Sequence, residues 1–369
     1  MREVKNILVI NESLSHNIGD RAIAGGLTAA INAVSGGQAK VHKFWLQKGI
    51  AVDDAALAVP AAGAGKSDSM SMQASYLYHT AWTGRYLLRL LRALGRIKQM
   101  DLAVFGGGSL IMDNRLQFPT AMYLLGLVLN RYKIPYAVSG VSLSGEISGP
   151  AAWLFKRFLA GACHVDMRDP ISREKAQAQF GVHVAPGSDY AFCLPALPAP
   201  SPAPEYDLLL NVTSAVSERA AYRDFLQRML SAFQDKKILL ATTGDVGDEL
   251  LTAELYAEYQ RDGLQVCYAK SYAEYCSAVA RARQVVASRL HSGILAVAMA
   301  TPTSIVNVGY KQKGFFKGIG LERCVVDYTA PVSALSEAWV PISANERAAI
   351  AETQQAICLK NIGKLVGRV

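Results

Sequence analysis

The chain has 369 residues, 51% of them hydrophobic and 18% charged, with a formal net charge of +8. That composition excludes a disordered chain and supplies apolar material for two sizeable cores. The excess of Lys and Arg favours anionic partners, whether phosphates, acidic glycans or a lipid surface, without choosing among them.

Strand and helix signals alternate along the whole chain. An apolar β-run at 6–11 precedes a helical stretch at 20–34 that is rich in Ala and Leu. Residues 58–75 are small and lack a period, and read as a surface loop able to cover a cleft. Gly63 to Ser67 does not make a phosphate loop, because Pro60 and Val59 stand where the first Walker glycine is needed and no strand precedes it. A short buried strand at 102–105 ends in Gly106, Gly107 and Gly108, followed by a helix at 120–132 and a strand at 136–139. Helices at 153–160 and 171–180 flank a strand ending near Met167.

At 194–205 the composition changes to closely spaced prolines (195, 198, 200, 202, 204), which favour an extended connector. Strands are then expected at 207–212, 237–242, 264–268, 284–288 and 303–308. Helices are expected from 218 and 248 and over 272–282 and 292–300, and a helical tail at 344–365 packs back across the first domain. Such alternation implies parallel sheets covered by helices on both faces. The expected architecture is α/β: two Rossmann-like doubly wound domains facing a cleft, at 1–193 and 206–343, joined by the linker 194–205. A C-terminal helix at 344–369 crosses back.

Cys163, Cys193, Cys267, Cys276, Cys324 and Cys358 are scattered, without zinc-site or disulfide-framework spacing, and read as the reduced thiols of a cytosolic enzyme. The N-terminus runs straight into a strand, with no secretory apolar region. The longest apolar run, Met122 to Leu129, stops at Asn130 and Arg131, too short for a membrane span. No metal site is evident, and no motif supports nucleic-acid binding.

The most informative segment is Arg289-Leu290-His291-Ser292, where a strand gives way to a helix. In an open α/β sheet ligands bind at such points, against the N–H groups and positive dipole end of the helix. A guanidinium fork matches a carboxylate or phosphate with two parallel hydrogen bonds, and imidazole moves protons near neutral pH. Arg168, at the end of a strand in the other domain, is the second candidate arginine; alternatively both form structural salt bridges, with Asp169 a ready neighbour for Arg168. Asn17 is either a helix N-cap or a partner for a sugar hydroxyl, and Gly19 permits a tight turn. Asp20 either orients an acceptor hydroxyl or serves the helix dipole. Gly107 and Gly108 allow close backbone approach to a ligand, although tight helix–sheet packing accounts for them nearly as well. Arg85, Arg89, Arg92 and Arg96 form a basic stripe on an apolar helix, suited to peripheral contact through 85–98 with the anionic inner leaflet, or else a solvated face.

Five patterns occur in order: Asn17-Ile18-Gly19-Asp20; Gly106-Gly107-Gly108-Ser109-Leu110 with Asp113; Arg168-Asp169 with Ser172 and Phe180-Gly181-Val182; Ser188-Asp189-Tyr190-Ala191-Phe192; and Arg289-Leu290-His291 with Pro302 and Tyr310 to Lys313. In these the chain resembles the polysaccharide pyruvyltransferases, which move the enolpyruvyl carbons of phosphoenolpyruvate onto sugar hydroxyls to form a ketal. Tyr190 replaces the proline usual after the aspartate, and Lys311-Gln312 stand where Asp-Pro is common, which weakens any role for Lys313. The resemblance implies a cytoplasmic enzyme of surface-polysaccharide assembly with a two-domain, glycosyltransferase-like (GT-B-like) fold. It implies phosphoenolpyruvate as donor substrate without a resident cofactor, and a glycan or lipid-linked oligosaccharide as acceptor. It further implies that Arg289 and Arg168 bind the donor, with His291 as acid–base catalyst. Leu290, Ser292, Lys313, Asn17, Gly19, Asp20, Gly107 and Gly108 are the expected substrate contacts. The competing expectations are a nucleotide-sugar glycosyltransferase on the same architecture and a non-catalytic subunit of a glycan-assembly complex.

Overall fold

The structure, a computed structural model, describes residues 4–52, 72–195, 197–216, 218–334 and 342–367. The stretch 58–75 therefore lies outside the described residues as far as 71, as do Gly63 to Ser67. The chain divides into two compact units. Unit 1 comprises Met1–Ser15, Ile23–Cys193 and Ala356–Val369; unit 2 comprises His16–Ala22 and Leu194–Gln355.

Unit 1 is built on a seven-stranded sheet. Its strands are β1 (Asn6–Asn11), β2 (Lys40–Trp45), β3 (Ile50–Val52), β4 (Leu102–Met112), β5 (Tyr136–Ser144), β6 (His164–Met167) and β7 (Ala185–Pro186). They lie in the order β3-β2-β1-β4-β5-β6-β7, all parallel except β3. Alternate residues of β1 serve opposite faces. Leu8 and Ile10 join a core with α2 (Met72–Ile97), α3 (Gln117–Arg131), α4 (Gly149–Ala160) and α5 (Pro170–Phe180). Ile7 and Val9 pack with Ile23 and Leu27 of α1 (Ile18–Val34) and with Cys358 and Ile362 of the C-terminal helix Ala344–Val366. The final helix thus returns to unit 1.

Two features of this unit differ from the sequence-based expectation. Strands β2 and β3 were not read from the sequence; β2 is a mixed run, KVHKFW, only partly buried. Strand β4 does not stop at Phe105 but continues through the glycines to Met112, with a register shift against β5 between Gly108 and Ile111. Gly107 and Gly108 take φ of 74° and 78°, a region that L side chains avoid. The triplet also serves helix packing: a Cβ on Gly106 would lie 2.1 Å from Leu27 Cδ2, and one on Gly107 1.8 Å from Ile23 Cγ2.

Unit 2 has six parallel strands: β8 (Leu208–Asn211), β9 (Ile238–Thr242), β10 (Leu264–Tyr268), β11 (Val285–Ala287), β12 (Thr303–Val306) and β13 (Val325–Val326). Their order is β10-β9-β8-β11-β12-β13. These are short, mainly apolar runs, and all but the edge strands β10 and β13 are buried throughout, as expected of strands covered on both faces. Leu208, Leu210 and Val286 meet Tyr222 and Phe225 of α6 (Arg219–Ala232) and Leu255 of α7 (Val246–Tyr259). Two doubly wound units and a returning terminal helix make the fold GT-B-like. Among the described residues no helix is long and apolar enough to cross a membrane.

Candidate functional site

In unit 2 the strand order reverses between β8 and β11, where Asn211 pairs with Ala287 at the C-terminal ends of both strands. Open α/β sheets leave a crevice at this point. The chain leaves β11 through Ser288 and Arg289, and helix α9 (Leu290–Ala298) begins two residues earlier than the periodicity suggests, with Arg289 as its N-cap. His291 therefore sits inside the first turn. The turn is held from several sides. The fully buried Asn211 side chain accepts from Ser288 N at 3.2 Å and from Arg289 N at 2.8 Å, and donates to Ala241 O. Gln312 Nε2 donates to Ser288 O at 3.1 Å, and the Tyr222 hydroxyl donates to Ser288 Oγ at 2.7 Å. Burial raises the Tyr222 phenol well above its usual range, which keeps it a donor.

The Arg289 side chain, 20% exposed, is gripped by Asp248, which is fully buried in the first turn of α7. Nε and Nη2 each donate to that carboxylate at 2.8 Å, and Nη2 lies 3.4 Å from Asp245. Ser214 N at 2.6 Å, Ser214 Oγ at 3.0 Å and Thr213 Oγ1 at 3.4 Å also donate to Asp248 Oδ1. Burial disfavours the guanidinium charge, but the Asp248 hydrogen bonds and the charges of Asp248 and Asp245 outweigh it, so the pKa rises. A guanidinium is planar: once Asp248 takes the Nε/Nη2 edge, the Nη1/Nη2 edge points the other way.

The segment His16–Ala22, which belongs to unit 2, brings the start of α1 to the same place. Ile18 N donates to Thr243 O at 3.0 Å. Gly244, with φ +84°, admits His16 O so closely that a Cβ would stand 2.4 Å from it. Asn17 caps the helix, its Oδ1 accepting from Gly19 N at 2.8 Å, and Asp20 occupies the first turn. Gly19 abuts the catalytic candidate: a Cβ there would lie 2.1 Å from His291 Nδ1 and 2.5 Å from Cγ. The first turns of α1 and α9 thus meet at the His291 imidazole, beside Arg289. Two helix N-termini and a guanidinium are groups that can receive an anion.

The remaining expected residues fall elsewhere. Arg168 lies in unit 1 at the end of β6, nearly buried, with Nη1 donating to Asp189 at 2.6 Å and Nη2 to Ser142 at 2.9 Å. Its carboxylate is thus Asp189 rather than the neighbouring Asp169, which instead caps α5 by accepting from Ser172 N. Ser292, expected at the substrate, is fully buried and hydrogen-bonded to the Tyr275 hydroxyl. Leu290 is a buried apolar residue, Gly107 and Gly108 lie in unit 1, and Lys313 is exposed on α10 (Tyr310–Gly318). The sequence reading missed Asn211, Asp245 and Asp248. The signal for them was present: a strand-end Asn in one case, and two carboxylates three apart at a helix start in the other.

The chain matches the family model for polysaccharide pyruvyl transferase over residues 43–310, from β2 to the start of α10. That range contains the glycine triplet, Arg168 and the Arg289–His291 segment, and excludes Asn17 to Asp20 and Lys311 to Lys313. No curated protein sequence matches. Among solved structures the chain is similar to a UDP-N-acetylglucosamine 2-epimerase from Rickettsia bellii (TM-score 0.61, 11% identity, 99% of this chain and 96% of that one). It is also similar to MurG from Acinetobacter baumannii (TM-score 0.51, 11% identity, 99% and 100%). A Thermobaculum terrenum O-GlcNAc transferase mutant gives a TM-score of 0.48 at 12% identity; 99% of this chain covers 66% of that one. At such identities the likeness is one of fold. The family match extends over well over half of the sequence, and the chain belongs to the polysaccharide pyruvyl transferase family.

Proposed function

We propose that this transferase moves the enolpyruvyl carbons of phosphoenolpyruvate onto two hydroxyls of a glycan, forming a pyruvate ketal and releasing phosphate. The observation that carries the reading is the meeting of two helix N-termini, the Arg289 fork and the His291 imidazole at the switch point of unit 2. The donor joins a carboxylate to a phosphate on three carbons, and the Nη1/Nη2 edge of Arg289 with the two helix ends supplies cationic groups for it. One sugar oxygen bonds to the enol carbon as the methylene carbon takes a proton and becomes a methyl group. The carbon–oxygen bond to phosphate breaks, and the second sugar oxygen closes the ketal, each hydroxyl giving up its proton. His291 is assigned the proton transfers, and the oriented cations stabilise the departing phosphate. Arg168, held by Asp189 through Nη1 and by Ser142 through Nη2, is the second candidate for a donor anion. Asn17 and Asp20 are candidates for the acceptor side. No step in this scheme calls for a resident cofactor, and its donor, a central metabolite, puts the reaction in the cytoplasm.

Incubation with phosphoenolpyruvate and a panel of glycans tests the reading. The expected product is heavier by one pyruvate less one water, with stoichiometric phosphate. Phosphoenolpyruvate, and not UDP or CMP sugars, should raise the melting temperature by mass action. Stabilisation by a nucleotide sugar with glycosyl transfer would replace this reading with the glycosyltransferase one. Ketal formation unaffected by His291→Ala would remove His291 from the chemistry.

A further inference from the structure

We infer that the outer surface of helices α2, α3 and α4 in unit 1 binds the surface of an anionic phospholipid bilayer. The three helices pack side by side over one face of the sheet. Their outward positions carry Leu87 (40% exposed), Leu88 (58%), Leu91 (61%), Leu127 (48%) and Trp153 (51%), most of the large exposed apolar side chains described in the molecule. Burial of the inner face does not explain them, because Tyr86, Leu90, Ala93 and Ile97 already fill that side of α2. Exposed apolar groups clustered on one surface mark a contact with something apolar.

Charge selects the occupant. Across α2, α3 and α4 there is no Asp or Glu at all. Arg85, Arg92 and Arg96 are exposed and recur at helical spacing beside the leucines, and Arg131, Lys156 and Arg157 are exposed on the next two helices. Arg157 lies 4.4 Å from the Trp153 ring centroid. Arg89, expected in the same stripe, is half-buried with Nη1 on Lys48 O, and belongs to the fold. By contrast α5 carries Glu174 beside Arg173 and Lys175, α6 carries Asp224 beside Arg219, Arg223 and Arg228, and the charged residues of α7 are all acidic. A twofold contact with a second copy through this face would set guanidinium against guanidinium. A phosphate backbone would answer the arginines and leave the leucines and Trp153 in water. An anionic bilayer answers both, taking leucine and tryptophan at the headgroup boundary and arginine at the lipid phosphates.

This inference rests on the surface alone and stands or falls separately from the donor chemistry. The test is co-sedimentation of the full chain with phosphatidylcholine vesicles, with and without phosphatidylglycerol. Binding should be at least ~10-fold stronger with the anionic lipid and weaken in high salt. Arg85→Gln/Arg92→Gln/Arg96→Gln should lower it roughly a hundredfold, and Leu88→Glu/Leu91→Glu at least ~10-fold. Lys236→Gln/Lys237→Gln, exposed in unit 2, should leave it unchanged. Should either multiple variant misfold, tryptophan quenching in the wild-type chain by brominated phosphatidylglycerol, lost in Trp153→Phe, reports the same contact. Equal binding to neutral vesicles, indifference to Leu88→Glu/Leu91→Glu, or absence of quenching would overturn the inference. So would a dimer that dissociates in the leucine variant, or tighter binding to duplex DNA than to anionic vesicles.

Discussion

Asp248→Asn isolates the orientation of Arg289 from its presence. The substitution is nearly isosteric, so it opens no cavity, and the Oδ1 position can keep the bonds from Ser214 N and Oγ. At the Oδ2 position an amide N–H would replace an acceptor and face Arg289 Nε, which now donates there at 2.8 Å. One charge-assisted bond is lost, a donor meets a donor, and a partly buried guanidinium loses its countercharge. Breaking a fully buried pair costs about 3–5 kcal/mol. The Arg289 side chain is 20% exposed with Asp245 3.4 Å away, so partial relief lowers the expected loss to about 2–3 kcal/mol. The raised pKa of Arg289 places this contribution on the alkaline side. A cation with a folded-state pKa above its unfolded value stabilises fully below the unfolded value and loses that effect only as pH rises through the folded one. Arg289 thus gives constant support across neutral pH. A fork displaced by about 1 Å costs on the order of a hundredfold in rate. Urea unfolding should show the stability loss, and phosphate release from phosphoenolpyruvate with a competent acceptor should show kcat/KM reduced about 100-fold, near 2.7 kcal/mol. Asp245→Asn, whose carboxylate is half exposed, should stay within about 0.5 kcal/mol and threefold in rate. A folded Asp248→Asn protein with wild-type kcat/KM would refute the assignment of Asp248 as the positioning residue of Arg289.

Three further substitutions test the rest of the site. Gly19→Ala puts a methyl group 2.1 Å from His291 Nδ1 and should displace the ring, lowering turnover by about 10- to 100-fold with little change in melting temperature; an active variant would separate Gly19 from the catalytic geometry. His291→Gln keeps hydrogen bonding and removes acid–base capacity, so kcat should fall by about 10²–10⁴ while donor binding, read by thermal shift, survives. Loss of donor binding with the same residual turnover would reduce His291 to a phosphate ligand. Asp189→Asn leaves Arg168 without its buried carboxylate and should destabilise the protein by about 3 kcal/mol in urea; unchanged stability would show that the ion pair is not what holds this part of unit 1.

Much of the fold could be read from the sequence, because short apolar runs such as ILLAT and LLLN fit only strands covered on both faces, and amphipathic stretches lay between them. What escaped the reading has particular causes. Strand β2 alternates Lys and His with apolar residues near the sheet edge and carries no continuous apolar signal. The continuation of β4 was obscured by glycines that resemble a turn locally but accept Leu27 and Ile23 from a distant helix. Helix α9 began early because Asn211, 78 residues before Arg289, holds the turn that starts it. Local periodicity cannot report a bond made across that separation.

The same limit explains why the arginines were legible and their partners were not. An Arg-x-His segment at a strand end announces its own chemistry, whereas the carboxylate that orients it arrives from another element. Asp169 was the expected neighbour of Arg168 because it is adjacent in sequence, yet an aspartate followed by proline at a helix start is used as a cap. Asp189 both accepts a backbone N–H and supplies the ion pair, its Oδ1 accepting from Ala191 N at 2.9 Å and its Oδ2 from Arg168 Nη1 at 2.6 Å. In unit 2 Asp245 caps α7 while Asp248, one turn inside, is buried against Arg289. In both units the carboxylate that holds the guanidinium is distant in sequence from its arginine and also accepts a backbone N–H, from Ala191 in unit 1 and from Ser214 in unit 2. Removing the surface carboxylate in unit 2, by Asp245→Ser with Asp248 retained, should preserve both the cap and the fork and leave kcat/KM within about threefold. A loss as large as that of Asp248→Asn would mean that the surface carboxylate, and not the buried one, governs the arginine.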